Sequence, residues 1–210
     1  PWEVQRLEAG QGEAGDGMAL TLAWHAGLLC SGTNNGVVQV WDSMSYTISA
    51  RLRHDGAVYS LASCGSLLLV GTPEAVSVWS AGGDGAEWVL LTSAEVHPEQ
   101  APTSIVCSPP LPISRTRTAV AVLVGCWDGT MQRWSLEEVE EQGGATVRLR
   151  MATAVAQAHA GAVNGVVLVQ MHSTNLFGAT GEPPHSARTV GSALVVSGGD
   201  DGSVQAWSLM

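Results

Sequence analysis

The sequence predicts an all-β protein built from repeated antiparallel sheets, and three recurring features support this prediction. Four short segments alternate apolar and polar residues and end in tryptophan, at residues 38–41, 76–79, 131–134 and 204–207. Alternation with a period of two is typical of a β-strand rather than a helix. Glycine-rich turns precede three of these segments, and histidine-led turns lie upstream of three units. Because such recurrence indicates a repeat architecture, each unit is expected to form one sheet.

Tight hairpins are predicted immediately before three of the tryptophan segments. Each of these turns contains an Asn-Gly or Asp-Gly pair, at residues 31–36, 125–129 and 197–202. Such pairs accept the positive φ angles that a short hairpin demands. The second unit has residues 72–75 instead, which are one residue shorter and include Pro73. Its hairpin is therefore expected to be built differently.

The charged residues exclude several classes of function. All nine basic residues are arginine, and they face 19 acidic residues, which gives a formal net charge of −10. Without lysine, the chain has neither a P-loop phosphate site nor Schiff-base chemistry. The acidic balance argues against nucleic acid or an anionic membrane as the main partner.

The four cysteines show no metal-binding spacing. Cys30, Cys64, Cys107 and Cys126 form no C-x-x-C pair, and three of them lie in or beside apolar runs. A reduced, buried thiol is the expected state there. No signal-peptide pattern is present, and the longest apolar stretch, around residues 119–127, is about half the length of a membrane span. We therefore expect an intracellular protein, cytoplasmic or nuclear, with no cofactor, no metal and no membrane partner.

Together these features resemble the WD40-repeat family of β-propellers. The likeness rests on the His-x-Gly turns, the Ser-Gly-x-x-Asp-Gly hairpin and the tryptophan that ends a strand. The resemblance implies a buried hydrogen-bond network in each unit, and the fourth unit matches best, with His159, Ser197, Asp201 and Trp207. The other units match in part: Ser31, Asn35 and Trp41 in the first, His54 and Trp79 in the second, and Asp128 and Trp134 in the third, where His97 is a looser candidate.

The resemblance implies a WD40-like β-propeller with about four four-stranded blades. The blades are expected at residues 18–53, 57–93, 103–151 and 162–210, with residues 2–8 as a possible closing outer strand. Blades stack around an axis because one blade cannot bury both of its faces alone. Two interpretations stay open: a partial propeller completed by missing sequence or by a partner chain, and an unusual closed ring of four blades.

Spacings between the tryptophans locate insertions in the repeat. Trp79 follows Trp41 by 38 residues, near the blade period of about 40–45 residues. The next two spacings are 55 and 73 residues. The excess falls in polar or Pro/Gly-rich stretches at residues 108–118, 137–144 and 172–191, which predict loops.

Other motifs have both a functional and a structural interpretation. Residues 10–15 satisfy the dinucleotide-binding pattern but precede a strand-like run, which favours a loop. His172, Glu182 and His185 suggest a metal site, but the prolines and glycines around them favour a surface loop. The acidic run at 137–141 predicts a solvated connection, with an acidic docking strip as the alternative.

Two Arg-Leu-Arg segments are predicted on outermost strands. They lie at residues 51–53 and 148–150. Charges at an exposed sheet edge discourage edge-to-edge pairing, which is the first interpretation. A peripheral binding stripe for an acidic partner is the alternative.

Trp127 is the preferred candidate for partner contact. It lies at the tip of a tight hairpin, just before Asp128, where the resemblance implies a side chain on the loop-lined face. Tryptophan is enriched among the residues that dominate protein interfaces. Asn34, Glu74 and Asp200 occupy comparable turn tips and make the face acidic or neutral, which favours a basic or polar partner segment.

We therefore expect a non-enzymatic scaffold that binds a protein or peptide partner, of open identity, on its loop face within a multiprotein complex. Recurrence of His, Ser and Asp in several units argues against a catalytic triad, because an active site is needed once. One alternative is an architectural subunit of a large assembly, for example an RNA-processing or mRNA-export complex, that makes contacts through outer strands. A propeller-based hydrolase is a more remote alternative.

Overall fold

The computed structural model describes residues 17–82, 87–112, 118–141, 144–171 and 192–209. In these residues, sixteen β-strands and one short 3-10 turn, Pro98–Gln100, form four antiparallel sheets. The all-β prediction is confirmed. The possible closing strand at residues 2–8 lies outside the described residues.

Blade 1 shows how the sequence pattern builds each sheet. It contains β1 (Ala19–His25), β2 (Leu28–Thr33), β3 (Val37–Asp42) and β4 (Ile48–Arg53), in that spatial order. Strand β3 is buried on both faces, from Val38 to Trp41. On the outermost strand, Leu52 is buried while Arg51 and Arg53 are exposed. The charged edge and the apolar interior therefore follow the alternation of the sequence.

The other three sheets repeat this arrangement. Blade 2 contains β5 (Ser60–Cys64), β6 (Leu67–Gly71), β7 (Ala75–Ala81) and β8 (Trp88–Glu95). Blade 3 contains β9 (Pro102–Cys107), β10 (Leu111–Pro112), β11 (Thr118–Cys126), β12 (Met131–Glu141) and β13 (Gly144–Val155), with β9 and β10 both paired to β11. Blade 4 contains β14 (Val163–Met171), β15 (Ser192–Gly199) and β16 (Val204–Leu209), three strands in the described part of the chain.

The acidic run at residues 137–141 was expected in a connecting loop, and the structure corrects this. The run continues strand β12, and Glu137 pairs with Arg148 on β13. Opposite charges facing each other across two antiparallel strands stabilise such a pair. The insertion at 137–144 is therefore largely an extension of the outer hairpin of blade 3. Part of the insertion at 108–118 is also regular, because β10 pairs with the start of β11.

The hydrophobic core lies in the layers between successive blades. The innermost strands pack in order, β1 against β5, β5 against β9 and β9 against β14. The layer between blades 1 and 2 includes Val40 and Val70, and the layer between blades 2 and 3 includes Leu69 and Val124. The layer between blades 3 and 4 includes Leu123 and Val163. Among the described residues, no packing of comparable extent joins β14 to β1. Over the described part of the chain, the four blades therefore form an arc that is open between blade 4 and blade 1.

Candidate functional site: the hairpin face

The topology places four equivalent hairpins at one end of the sheets. They join β2 to β3, β6 to β7, β11 to β12 and β15 to β16. Because neighbouring strands are antiparallel, these hairpins share one end with the connections between blades. Backbone hydrogen bonds tie the two sets together: Trp127 donates to the Ala101 carbonyl at 3.0 Å, and Asp200 donates to the Ala162 carbonyl at 2.9 Å. We call this end the hairpin face.

Trp127 lies at the tip of the β11–β12 hairpin, and its side chain is 63% exposed. The turn beneath it is held firmly. The Asp128 carboxylate accepts a hydrogen bond from the Thr130 amide at 2.9 Å. Gly129 has a φ of 82°, and a Cβ at this position would lie 2.2 Å from the His159 carbonyl oxygen, so only glycine fits there. A large apolar ring therefore projects into solvent from a rigid turn.

The other three predicted contact residues, Asn34, Glu74 and Asp200, are exposed at the tips of the neighbouring hairpins. Asn34 fastens the start of β1, because its Oδ1 accepts from the Met18 amide at 2.7 Å. Asp200 accepts a hydrogen bond from the side-chain amide of Asn164. Topology thus brings all four predicted contact residues to the hairpin face.

The hairpin face is acidic. Its exposed carboxylates include those of Asp55, Glu74, Glu99, Asp128 and Asp200, on the connections and hairpins of blades 2, 3 and 4, and they outnumber the exposed Arg53 at the end of β4. A surface that carries one sign of charge attracts partners of the opposite sign and speeds their association.

The predicted network residues of blade 4 meet in one buried cluster. His159 Nε2 lies 2.8 Å from Ser197 Oγ, and Trp207 Nε1 donates to the same oxygen at 3.0 Å. On the other side of the ring, His159 Nδ1 lies 3.1 Å from an Asp201 carboxylate oxygen and 3.0 Å from Ser203 Oγ. His159 and Ser197 are 2% and 1% exposed. Every nitrogen of the imidazole thus has a partner.

Asp201 links this cluster to the backbone. Its carboxylate accepts hydrogen bonds from the Ala160 amide at 2.9 Å, and from the Ser203 hydroxyl at 2.7 Å and amide at 2.9 Å. These donors, the Ala160 amide above all, hold the pKa of Asp201 well below its usual range. The network therefore joins the connection before β14 to the β15–β16 hairpin.

Blade 1 forms a smaller version of the cluster. Trp41 Nε1 donates to Ser31 Oγ at 2.9 Å, as Trp207 does to Ser197, and Ser31 Oγ donates to Gln39 at 3.3 Å. Asn35 contributes elsewhere, because its Oδ1 accepts from Thr33 Oγ1 at 2.5 Å within the hairpin. The structure brings Ser31 and Trp41 together and places Asn35 in the turn.

Blade 2 keeps its histidine but has no serine to bind it. Val70 occupies the position of Ser197, so His54 packs edge-on against Trp79, with ring centroids 5.5 Å apart. His54 Nε2 is buried and has no hydrogen-bond partner among the described residues. Burial lowers the pKa of His54, although the nearby charge of Asp55 opposes the shift. Trp79 Nε1 donates instead to Ser77 Oγ at 3.3 Å.

Blade 3 replaces the histidine with a glutamine. His97 is exposed and caps the short 3-10 turn, accepting from the Glu99 amide at 3.4 Å. Gln100 takes the inner place: Gln132 donates to its Oε1 at 2.9 Å, and Trp134 donates to Gln132 Oε1 at 2.9 Å. His97 therefore stands outside the network. Asp128 likewise bonds within its own hairpin, where it accepts from the Thr130 amide.

Sequence reasoning missed the polar residue that lies two positions before each tryptophan. These residues are Gln39, Ser77, Gln132 and Gln205. Each makes a side-chain hydrogen bond inside its blade, including that of Gln205 to the Ala158 carbonyl at 2.5 Å. The alternating pattern of the third strands contained this information, because it repeats one polar residue between two apolar ones.

The opposite end of the molecule contains a cavity of about 650 Å³ between blades 2 and 3, lined in part by Cys64 and Cys107. All four cysteines are free thiols. A hydrogen bond between the two lowers the pKa of Cys64 and raises that of Cys107. Burial raises the pKa of Cys30 to about 11 and that of Cys126 to about 12.

Among the residues that the structure describes, nothing indicates a metal site or a nucleotide site. No group of three or more His, Cys, Asp or Glu side chains there could hold a metal ion. The dinucleotide-like residues 10–15 and the candidate metal ligands His172, Glu182 and His185 lie outside the described residues.

Comparison with known proteins supports the fold. No family model matches the chain, and no curated protein matches it in sequence. The computationally designed protein Ika4 aligns over 99% of this chain and 100% of its own, with 20% identity and a TM-score of 0.55. A chain of the mitotic checkpoint complex matches 91% of this chain at 19% identity and TM-score 0.60, and the WD40 domain of SCAP from fission yeast matches 91% at 13% identity and TM-score 0.56. This chain spans 50% and 42% of the length of those two natural chains.

The fold is therefore that of a WD40-like β-propeller, as the sequence resemblance implied. In the part of the chain that the structure describes, no helix is long and apolar enough to cross a membrane.

Proposed function

We propose that this protein is a non-enzymatic scaffold whose hairpin face binds a basic segment of a protein partner. The observation that carries the proposal is Trp127, a 63% exposed indole on a rigid hairpin tip. A fixed apolar anchor loses little conformational entropy on binding, which makes it an effective interface residue. The ring would pack against an apolar side chain or a guanidinium group of the partner.

Charge on the hairpin face supports a basic partner segment. Exposed Glu74, Glu99 and Asp128 lie on the hairpins or connections of blades 2 and 3, around the tryptophan in the topology. Exposed charges of this kind raise the association rate more than they raise the final affinity. The bound segment is therefore expected to carry arginine or lysine around one apolar residue.

The burial of the blade 4 cluster supports a structural role for its His, Ser and Asp residues. A hydrolase nucleophile must reach its substrate, but Ser197 is 1% exposed and its oxygen is already engaged by His159 and Trp207. Similar clusters without the full residue set occur in blades 1 and 3. A structural role explains this recurrence, whereas a catalytic role requires only one complete set.

Affinity capture followed by mass spectrometry from the source cell tests the proposal. Three tagged chains are compared: the unmodified protein, Trp127→Ala and Met44→Ala. Met44 is the matched control because it is an apolar side chain, 87% exposed, in the β3–β4 turn at the opposite end. Loss of an interface anchor costs about 2 kcal/mol or more, so Trp127→Ala should reduce recovery of the specific partners more than tenfold.

The charge component is tested with the same partners. Glu74→Gln and Glu99→Gln should each slow association and reduce its dependence on salt, measured by surface plasmon resonance. Equal recovery of every partner by the unmodified protein and Trp127→Ala would contradict the proposal. Equal losses with Met44→Ala would also contradict it, because they would show that binding is not confined to the hairpin face.

A further inference from the structure

The strand register defines equivalent positions in the four blades. In each second strand, one glycine pairs with an apolar residue of the third strand: Gly32 with Val38, Gly71 with Val76, Gly125 with Met131 and Gly198 with Val204. The residue before each glycine pairs with the innermost strand: Ser31 with Leu22, Val70 with Leu61, Val124 with Ile105 and Ser197 with Val166. Burial can therefore be compared position by position.

One end of the arc exposes an apolar residue whose equivalents are buried in the other three blades. Leu61, Ile105 and Val166 are 8%, 7% and 7% exposed, because the preceding blade covers them. Leu22, the equivalent residue of blade 1, is 65% exposed. Trp24, two residues along the same face of β1, is 61% exposed. The face of blade 1 that carries Leu22 and Trp24 is therefore apolar, like the faces at the junctions between blades. It has no neighbouring blade among the described residues.

At the other end of the arc, blade 4 exposes apolar residues on its opposite face. Val38, Val76 and Met131 are 0%, 0% and 6% exposed, whereas their equivalent in blade 4, Val204, is 75% exposed. Val167 on β14 is also 58% exposed. In blades 1 to 3 this face is covered by the following blade. In blade 4 the same face is exposed.

The repeated glycine forms a notch that the next blade fills. A Cβ at Gly32 would lie 2.4 Å from Val58, and a Cβ at Gly125 would lie 2.6 Å from Val163. At Gly71, the next blade's Pro102 would lie 2.9 Å away. At Gly198 a Cβ would meet no described atom within 4 Å. The notch is thus present at the free end of blade 4 and is open there.

We propose that two copies of this chain close one eight-bladed ring through two identical junctions. In each junction, the β1 face of one copy, with Leu22 and Trp24, packs against Gly198 and Val204 of the other. The two free faces are the two halves of the junction that the chain already makes three times within itself. A head-to-tail contact of this kind closes into a ring when the rotation between copies permits it.

The size of the arc supports two copies. The described residues form four sheets. Propellers commonly contain about 4–8 blades. Two copies give eight blades, within this range, whereas three copies would exceed it.

Molecular mass in solution tests the proposal. Sedimentation equilibrium of the 210-residue chain should give twice the 21.8 kDa of one copy. Leu22→Glu and Val204→Arg each place a charge in both junctions and should raise the dissociation constant of the dimer more than tenfold. Val89→Glu is the matched control, because Val89 is 49% exposed on the outermost strand of blade 2. Trp127→Ala should also remain dimeric, so this test is independent of partner binding.

Mixing the two charged variants shows whether the contact is head-to-tail. A dimer of one Leu22→Glu copy and one Val204→Arg copy has one unmodified junction and one with a Glu-Arg pair, so the mixture should recover the dimer. Val167→Glu serves as a second variant of the blade 4 face, and circular dichroism checks that each variant keeps its sheet content. A monomer at all concentrations would overturn the proposal. A dimer insensitive to the Val204 and Val167 variants, or one that mixing does not restore, would overturn it too.

Discussion

Blades 2 and 4 contain the same histidine turn, but the contacts of the histidine side chain differ between them. In blade 4, His159 has polar partners on both nitrogens, supplied by Ser197 on one side and Asp201 and Ser203 on the other. In blade 2, His54 packs edge-on against Trp79, and its Nε2 has no partner among the described residues. The backbone amides of both histidines are nonetheless bound in the same way, His54 donating to the Gly36 carbonyl at 2.8 Å and His159 to the Gly129 carbonyl at 3.1 Å.

The comparison separates two contributions to a propeller blade. Sheet pairing and apolar layers are common to both blades, so they are sufficient to form the fold. In the part of the chain that the structure describes, the polar network is complete only in blade 4, where it fixes the connection before β14 against the following hairpin. A satisfied network rigidifies its surroundings, whereas a buried group without a partner costs free energy. Blade 4 is therefore expected to depend on its histidine, and blade 2 to tolerate its loss.

The largest difference in the free energy of unfolding is expected between the variants in which the histidine of blade 4 or of blade 2 is replaced by phenylalanine. His159→Phe removes a buried ring with partners on both nitrogens and leaves Asp201 and Ser197 short of one partner each, which should lower the free energy of unfolding by about 2–3 kcal/mol. His54→Phe removes a nitrogen that has no partner and keeps an aromatic edge against Trp79, so its effect should stay within about 1 kcal/mol. Urea unfolding monitored by tryptophan fluorescence measures both. Equal destabilisation by the two variants would contradict the comparison.

A second substitution tests whether blade 2 can be converted to the chemistry of blade 4. Val70→Ser removes buried methyl groups, but places a hydroxyl where His54 Nε2 needs a partner, so the two effects should offset each other to within about 1 kcal/mol. Val124→Ser is the control at the equivalent position of blade 3, where no histidine is present and Val124 is fully buried. The control should cost about 1–2 kcal/mol, because it loses the same methyl groups while Gln132 and Trp134 of the blade 3 cluster already have partners. A loss at Val70 as large as that at Val124 would show that His54 does not reach the new hydroxyl.

The blade 4 cluster was accessible from the sequence because its residues recur at matched places in a repeat. Alternating strands and Asn-Gly or Asp-Gly turns fix the hairpins, and the hairpins then bring Ser197, Asp201 and Trp207 near His159. The exchange of His97 for Gln100 in blade 3 could not be predicted, because extra residues in that connection conceal which side chain points inward. The length of the β12–β13 hairpin was also hidden, since Glu137 and its neighbours are as compatible with a loop as with an exposed strand.

An open arc is one of the two interpretations that the sequence allows, because its pattern does not distinguish the end faces from the internal ones. Leu22 and Val204 have the same apolar character as Leu61 and Val38, so the pattern assigns all four to a buried face. Only the arrangement of blades shows which faces have a neighbour. Trp127 is the contrary case: its position in an Asp-Gly turn predicted a side chain at the tip of a hairpin, and the structure places it there.

The smallest effect is the dependence of stability on pH that His54 contributes. Burial lowers the pKa of His54 below its ordinary value of 6.5 in the folded protein. The unfolded chain therefore binds a proton near pH 6.5 that the folded chain binds only at lower pH, so this contribution to stability is complete above pH 6.5 and declines as the pH falls below it. Solvent screens the group, and the charge of Asp55 opposes the lowering of its pKa. The free energy of unfolding should therefore fall by less than about 1 kcal/mol between pH 7.5 and 5.5. His54→Phe should flatten this part of the profile in urea titrations at several pH values, while the contribution of His25, whose pKa burial also lowers, persists. An unchanged slope in His54→Phe would mean that His54 is as freely protonated in the folded protein as in the unfolded chain.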